Sequence, residues 1–217
     1  MSALYWISVN DLLRSVLEPA MNSPSLNEFR LVGGTSLSLQ LGHRKSIDID
    51  LFTDAPYGTI DFTAIENFFK ESFAYVSTNS GQVGMGTSFF AGSNDQEAVK
   101  VDLYYTDTFI RPLNEEEGIR LASVEDIIAM KLDVISRGGR KKDFWDLHEL
   151  SCHYDIKTML GFHKERYPYS HEKELIISKL SDFALADDDF DPECLKGKHW
   201  ELIKLDFLQL MTEVSIK

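Results

Sequence analysis

Apolar residues in the first half of the chain recur with two periods, one typical of helices and one typical of strands. Helical spacing predicts helices at Val9–Met21 and Phe62–Glu71, and a short helix after Gly33-Gly34. Alternation and short apolar runs predict strands at Phe29–Val32, Ile47–Phe52, Phe73–Thr78, Gly86–Phe90 and Val99–Tyr105. These elements indicate a mixed α/β domain over residues 1–115.

The periodicity becomes helical after residue 115. Ser123, followed three residues later by Asp126, is typical of a helix N-terminus. Further helices are predicted at Asp143–Cys152, Lys157–Arg166, His171–Leu185 and Trp200–Val214. The predicted fold class is therefore α/β (α+β): a mixed sheet with flanking helices, followed by a C-terminal helical bundle over residues 116–217.

Two aspartates share one face of the predicted strand Ile47–Phe52. Side chains alternate along a strand, which puts Ile47, Ile49 and Leu51 on one face and Asp48 and Asp50 on the other. Paired carboxylates repel each other unless a cation lies between them, and their hard oxygen ligands suit Mg²⁺ or Mn²⁺.

A third carboxylate, Asp102, has the same parity in the strand Val99–Tyr105. It either joins the pair from an adjacent strand or is an ordinary exposed strand residue. Three carboxylates from two strands are what a two-metal phosphoryl-transfer site requires.

Gly33-Gly34 follows an apolar strand, and Thr35 or Ser36 is expected to begin the next helix as its N-cap. Glycines allow a ligand to approach the backbone, and free amides at a helix start favour phosphate. A Gly-Gly pair is also common in plain tight turns, so its value depends on its position before the aspartates.

Composition excludes several classes of protein. The 217 residues are 43% hydrophobic, with no apolar run long enough for a membrane span, and the two cysteines are too few for a disulfide framework. We therefore expect a cytoplasmic protein. The net charge of −13 argues against general nucleic-acid binding.

Two common nucleotide-binding motifs are absent from the sequence. The glycines from Gly81 to Gly86 do not have the spacing of a dinucleotide-binding motif, and no Walker-type loop is present. The histidines, including His148 and His153, are predicted to lie at the surface or partly buried.

One basic cluster interrupts this acidic background, formed by Arg137, Arg140, Lys141 and Lys142. It either neutralises phosphates of a triphosphate or an RNA acceptor, or forms a solvated loop between two helices. His43, Arg44 and Lys45 present a similar choice, because they precede the aspartate strand and either contact substrate or face water.

The chain resembles the AbiEii/AbiGii-like toxins of the DNA polymerase β-type nucleotidyltransferase superfamily. The resemblance is carried by four segments in the family's order: Gly33–Ser36, His43–Phe52, Lys100–Leu103, and Leu121–Leu132 running on through Arg140–Leu147. It implies a nucleotidyltransferase-type sheet and the transfer of a nucleoside monophosphate from an NTP to an acceptor hydroxyl.

The resemblance also implies roles for individual residues. Triphosphate or substrate contacts would come from Gly33, Gly34, Thr35, Ser36, Arg44 and Ser46. Asp48, Asp50 and Asp102 would ligate Mg²⁺ or Mn²⁺, and Asp102 would activate the attacking hydroxyl. Lys131 would neutralise triphosphate charge, although its position between Met130 and Leu132 is equally compatible with a solvated flank. Asp143 or Asp146 would complete the helical motif.

Partners and alternatives follow from the same resemblance. The expected partners are an NTP, an RNA or tRNA acceptor and an antitoxin protein, with no membrane. The leading interpretation is a toxin of a toxin-antitoxin or phage-defence system, with the active-site cleft between the two halves. Alternatives are transfer to a protein hydroxyl or to a small molecule, as in antibiotic-modifying relatives, and a non-catalytic nucleotide-binding module.

Overall fold

The structure is a computed structural model that describes residues 3–78 and 84–216. The chain divides into two compact units, one of residues 1–42, 46–108 and 112–122 and the other of 43–45, 109–111 and 123–217. Part of the glycine run, Gly81 to Val83, lies outside the described residues. Within the described part, no helix combines the length and the apolar character needed to cross a membrane.

The first unit is built on a mixed sheet, which confirms the predicted fold class. Its described strands are β1 (Arg30–Leu31), β2 (Ile49–Thr53), β3 (Tyr75–Thr78), β4 (Gly86–Gly92), β5 (Ala98–Tyr105), β6 (Asn114–Glu116) and β7 (Ile119–Leu121). Their order is β3-β4-β5-β2-β1-β7-β6. β2 runs parallel to β5 and β1 parallel to β7, whereas the other pairs are antiparallel.

Three helices accompany the sheet in the described part of this unit: α1 (Asp11–Asn22), α2 (Gly33–Leu41) and α3 (Phe62–Ser72). Asn10 is the N-cap of α1, and its side chain accepts a hydrogen bond from the Leu13 amide. The apolar faces of α1 and α3 pack with the inward-facing residues of β2, β4 and β5 in one hydrophobic core. One face of the central strands is therefore buried, and their polar residues lie on the other face.

Two local predictions in this unit are wrong, and two short strands were missed. β2 begins at Ile49 rather than Ile47, and the Ile47 side chain is 68% exposed. Helix α2 begins at Gly33 with Val32 as its N-cap, so neither Thr35 nor Ser36 caps it; both lie buried inside the helix. The short strands β6 and β7 were not predicted from the sequence, because three residues are too few to show a period.

The second unit is helical in its described part. Its helices are α4 (Val124–Ser136), α5 (Lys141–Leu150), α6 (Ile156–Arg166), α7 (Lys173–Lys179), α8 (Ala184–Asp187) and α9 (Trp200–Ile216). Ser123 caps α4 as predicted, since its side chain accepts a hydrogen bond from the Asp126 amide. α5 and α9 pack through edge-to-face aromatic contacts among Phe144, Trp200 and Phe207.

The single helix predicted over His171–Leu185 is wrong. α7 ends at Lys179, and α8 starts only at Ala184. Asp182 causes the break, because its carboxylate accepts a hydrogen bond from the Ala184 amide and pairs with Lys179. Aspartate side chains compete in this way with the helical hydrogen bonds of the backbone.

Candidate active site

Asp50 and Asp102 lie side by side on the exposed face of the central strands. They are paired in register across the parallel strands β2 and β5, and both side chains are half-buried. Their neighbours Ile49, Leu51 and Val101 point into the core on the opposite face. Adjacent strands are about 4.8 Å apart, so the two carboxylates face the same small volume of space.

Asp48 lies just before β2, and a hydroxyl pair holds its backbone. The buried Thr35 hydroxyl donates its one proton to the hydrogen bond with the Asp48 carbonyl, so it accepts a hydrogen bond from the Ser46 hydroxyl, 2.7 Å away. Thr35 and Ser46, expected to contact substrate, therefore tie α2 to the segment that carries Asp48. Ser36 is also buried, with its hydroxyl 3.2 Å from Gln40 Nε2.

The start of α2 lies against the Asp50 carboxylate. Gly33 has a φ of +66°, which L side chains rarely adopt, and a Cβ placed on it would lie 2.8 Å from Asp50 Oδ2. Val32, the N-cap, has no polar side chain to satisfy the first amides of the helix. Gly33 and Gly34 are half-buried and present these amides beside the carboxylates, where a phosphate group can bind.

Lys100 is a member of this cluster that the sequence analysis did not single out as a site residue. Its Nζ lies 2.6 Å from Asp102 Oδ2, and this hydrogen bond raises the pKa of Lys100. Burial opposes the shift, while the charges of Asp102, Asp48 and Asp50 add to it. The signal was present in the sequence, because Lys100 shares the parity of Asp102.

The second oxygen of Asp102 has a different environment. Asp102 Oδ1 is buried and has no hydrogen-bond partner among the residues that the structure describes. A buried carboxylate oxygen without a partner is costly, so it is a natural site for a cation or for the proton of a substrate hydroxyl.

The residue types at this face fit a divalent metal ion. Carboxylate oxygens are the ligands that Mg²⁺ and Mn²⁺ prefer, and Asp48, Asp50 and Asp102, whose charges all act on Lys100, carry such oxygens. Among the described residues, no group of three or more His, Cys, Asp or Glu side chains is positioned to hold a metal ion. Lys100 contributes positive charge to the cluster.

The remaining predicted site residues lie in the second unit, around Asp146. This carboxylate is fully buried and accepts two hydrogen bonds from the Arg44 guanidinium, with Nε at 2.6 Å and Nη2 at 2.8 Å. His43 Nε2 lies 2.8 Å from Asp146 Oδ1, and Lys131 Nζ lies 2.7 Å from Oδ2. Burial would raise the pKa of Asp146, but Arg44, Lys131 and His43 hold it well below its usual value.

Asp143 extends the same network. Its Oδ1 lies 2.6 Å from Lys131 Nζ, and its Oδ2 accepts a hydrogen bond from the Arg140 amide at the start of α5. Burial would lower the pKa of Lys131, but the charges of Asp143 and Asp146 outweigh it and raise that pKa. Lys131 is thus neither a solvated flank nor a free cation, since two carboxylates neutralise it.

Two surface interpretations of the basic residues are wrong. His43 and Arg44 are buried, and the segment from His43 to Lys45 pairs with residues 193–195 through backbone hydrogen bonds. The cluster at 137–142 is not one solvated loop either. Lys141 is a buried residue of α5 whose Nζ lies 2.8 Å from Asp191 Oδ1.

Sequence comparison identifies the family. Residues 15–213 match the family described as nucleotidyl transferase AbiEii toxin, type IV TA system. An uncharacterized protein of Aquifex aeolicus is 30% identical over 163 residues, covering 71% of this chain and 73% of its own.

Solved structures with the same fold include two bacterial proteins. JHP933 from Helicobacter pylori matches with a TM-score of 0.56 and 18% identity, over 94% of this chain and 88% of its own. The nucleotidyltransferase toxin MenT4 from Mycobacterium tuberculosis matches with a TM-score of 0.55 and 13% identity, over 93% of this chain and 83% of its own. The sequence match, together with this shared fold, confirms the resemblance: the chain belongs to the AbiEii nucleotidyltransferase toxin family.

Proposed function

We propose that this protein transfers a nucleoside monophosphate from an NTP to an acceptor hydroxyl, with a divalent metal ion, as the toxin of a toxin-antitoxin system. The observation that carries the proposal is the register of Asp50 with Asp102 beside the glycine start of α2. This register brings phosphate-binding amides and paired carboxylates to one sheet face, as nucleotidyl transfer requires.

The amides at the start of α2 bind the triphosphate in this proposal. Gly33 and Gly34 leave room for phosphate oxygens, and the partial positive charge of the helix N-terminus favours them. Thr35 acts as a positioning residue, because its hydroxyl holds the Asp48 backbone rather than facing the ligand.

Asp102 receives the proton of the acceptor. Its Oδ1 is the unpartnered oxygen, whereas Oδ2 is held by Lys100. The acceptor oxygen bonds to the α-phosphorus, its proton passes to Asp102 Oδ1, and the bond from the α-phosphorus to pyrophosphate breaks. The products are the nucleotidylated acceptor and pyrophosphate.

Asp48, Asp50 and Asp102 would hold Mg²⁺ or Mn²⁺. When bound, the metal supplies charge neutralisation for the phosphate oxygens at this face. Lys131, Asp143 and Asp146 support the reaction indirectly in this proposal, because they neutralise one another inside the second unit together with Arg44.

The family description supports the biological role. A toxin that modifies an essential acceptor slows growth when it is made alone. An antitoxin is accordingly the expected partner, and growth arrest should require the carboxylates on β2 and β5.

The test uses NTPs labelled at the α-phosphate, mixed with total RNA, lysate protein or a small-metabolite pool. We expect label transfer to one pool with Mg²⁺ and none with EDTA. Asp50→Asn and Asp102→Asn should reduce transfer by at least about a thousandfold. Each variant loses a carboxylate that would hold the metal ion, so the charge of the phosphate oxygens is no longer neutralised. Asp95→Asn, at an exposed position between β4 and β5, is the matched control and should retain full activity.

Transfer that persists in Asp50→Asn, or that does not need a divalent metal, contradicts the proposal. Label in the metabolite pool alone identifies a small-molecule acceptor. The absence of both transfer and metal-dependent NTP binding, the latter measured by calorimetry, contradicts an enzymatic function.

A further inference from the structure

Lys100 brings a positive charge into the carboxylate cluster, which is formed by Asp48, Asp50 and Asp102. Lys100 precedes Asp102 by two residues on β5, so both side chains lie on the same face of the strand. Its Nζ lies 2.6 Å from Asp102 Oδ2, and the charges of Asp48 and Asp50 act on it as well. Three negative charges and one positive charge leave a net charge of −2 at this face.

The contact between Lys100 and Asp102 involves an oxygen that a metal ion would also use. Divalent cations bind carboxylates through the oxygen lone pairs, and the Lys100 ammonium takes one of these on Oδ2. The ammonium also neutralises part of the charge that attracts a cation. Both effects weaken metal binding, which gives a physical reason why no group of described side chains is positioned to hold a metal ion.

The Lys100 ammonium is exchangeable rather than locked in place. Its side chain is 42% exposed, whereas that of Lys131, held between Asp143 and Asp146, is 8% exposed. A lysine has a flexible stem of four carbons and a strongly hydrated head group. Lys100 can therefore leave Asp102 for water or for a phosphate oxygen without disturbing the core.

We propose that Lys100 is an internal competitor of the divalent metal ion. It lowers the affinity of the carboxylate cluster for a free metal ion, and it gives up Asp102 Oδ2 only when an NTP is bound at the amides of α2. The inference rests on the proposed function and adds a regulation of the same site, which is the order in which the nucleotide and the metal ion bind.

The triphosphate favours the exchange in two ways. Its negative charge attracts the Lys100 ammonium away from Asp102, and its oxygens add hard ligands beside those of the carboxylate cluster. Lys100 acts through Asp102 and is therefore a positioning residue. Without the ammonium the cluster carries a net charge of −3, so it should bind a free divalent ion more tightly and repel itself more strongly in the absence of one.

The experiment measures Mn²⁺ binding to the full chain without NTP, from the electron paramagnetic resonance signal of free Mn²⁺. Lys100→Met keeps the length of the side chain but removes the charge. We expect its Kd for Mn²⁺ to be at least about tenfold lower than that of the wild type, because a unit positive charge no longer lies beside the divalent cation. Lys100→Arg keeps the charge and should bind Mn²⁺ within about threefold of the wild type.

Lys70→Met is the matched control. Lys70 lies on α3 and makes an ion pair with Glu66 at the same N–O distance of 2.6 Å. α3 packs on the buried face of the sheet, opposite the carboxylate cluster. This replacement removes the same charge from a similar ion pair and should leave the Kd for Mn²⁺ unchanged.

Urea unfolding in EDTA and in excess Mn²⁺ gives a second readout. Lys100→Met should unfold at a lower urea concentration than the wild type in EDTA, because the three carboxylates repel one another without the ammonium. Mn²⁺ should stabilise this variant more than it stabilises the wild type, since it binds the folded variant more tightly. Should Lys100→Met not fold in EDTA, Lys100→Gln gives the same comparison, because its amide donates to Asp102 without a charge.

A Kd for Mn²⁺ in Lys100→Met that equals or exceeds the wild-type value overturns the inference, because a merely structural lysine would weaken metal binding when it is removed. An equal gain of affinity in Lys100→Arg or in Lys70→Met also overturns it, since the charge at position 100 is then not the cause. Failure of the proposed function is distinguishable: it appears as a wild type that transfers no α-phosphate label, whatever the Mn²⁺ affinities are.

Discussion

A side chain at Gly33 would force the Asp50 carboxylate to move, because its Cβ would lie 2.8 Å from the carboxylate oxygen Oδ2. Gly33 also has a φ of +66°, so alanine is strained there for a second reason. We predict that Gly33→Ala destabilises the protein by about 1–3 kcal/mol and reduces transfer at least tenfold. Chemical unfolding and the transfer assay measure the two effects.

Gly161→Ala is the control for this substitution. Gly161 lies in α6, and a Cβ there meets no atom within 4 Å. Alanine should leave activity intact and stabilise the helix by about 0.5–1 kcal/mol. Equal effects of the two substitutions would contradict the close contact between Gly33 and Asp50.

Thr35 connects α2 to the segment before β2, and the second prediction tests this positioning role. Thr35→Val preserves shape but removes the hydrogen bonds to Ser46 and Asp48. We predict a kcat at least tenfold lower with a smaller change in the KM for NTP, because Asp48 is displaced while the α2 amides remain. Thr35→Ser restores the hydroxyl and should recover most of the activity. A raised KM with unchanged kcat would instead indicate direct substrate contact.

Asp146 is predicted to matter for stability. Asp146→Asn leaves Arg44 and Lys131 buried with one fewer compensating charge, which typically costs about 3–5 kcal/mol. Urea unfolding measures the loss. Asp182→Asn removes an exposed ion pair with Lys179 in the same unit and should not change the unfolding midpoint. A fully stable Asp146→Asn variant without activity would show that Asp146 acts in the chemistry itself.

The buried imidazole of His163 gives a pH prediction. Burial, together with the nearby His171, lowers the pKa of His163 from 6.5 to about 4. Its Nδ1 lies 3.0 Å from Nδ1 of His171, and its Nε2 lies 3.9 Å from an oxygen of Asp133. Below pH 6.5, His163 is mostly protonated in the unfolded chain, whereas in the folded chain it stays neutral until about pH 4. The unfolded state therefore binds more protons in this range, and the free energy of unfolding falls as the pH decreases from 6.5 to about 4.

The full effect is about 3 kcal/mol at 1.36 kcal/mol per pKa unit. Unfolding free energies between pH 7 and 5 should show this slope in the wild type. His163→Gln should lose most of this slope and keep only the part from His171, whose pKa is also lowered by burial. His153→Gln, at an exposed position, should retain the full slope. The same slope in the His163→Gln variant would assign the dependence to other groups.

Periodicity was sufficient to predict which face of the sheet carries Asp50 and Asp102. Alternation places Asp50 and Asp102 opposite the buried Ile49 and Val101, and the structure has the same parity. The register between β2 and β5 was not available from the sequence, because strand pairing depends on long-range contacts. The pairing of Phe52 with Tyr104 was missed for the same reason, since these residues are far apart in the chain.

The roles of the buried cations could not be predicted from local pattern. Lys131 lies between apolar residues in the sequence, and only the packing of α4 against α5 brings Asp143 and Asp146 to it. For Arg44 the sequence left both a substrate contact and a solvent-exposed position open, and its burial depends on the pairing of its segment with residues 193–195. Both outcomes depend on tertiary contacts, which a local pattern does not contain.

The fate of the individual phosphates tests the central claim most directly. The same NTP is supplied in two forms, one labelled at the α-phosphate and one at the γ-phosphate, with Mg²⁺ and the acceptor pool that takes up label in the transfer assay. The account predicts that the α label becomes attached to the acceptor and that the γ label is released as pyrophosphate, with both signals lost in Asp102→Asn. Attachment of the γ label, or release of the γ label as inorganic phosphate without α-label transfer, would contradict nucleotidyl transfer at this site.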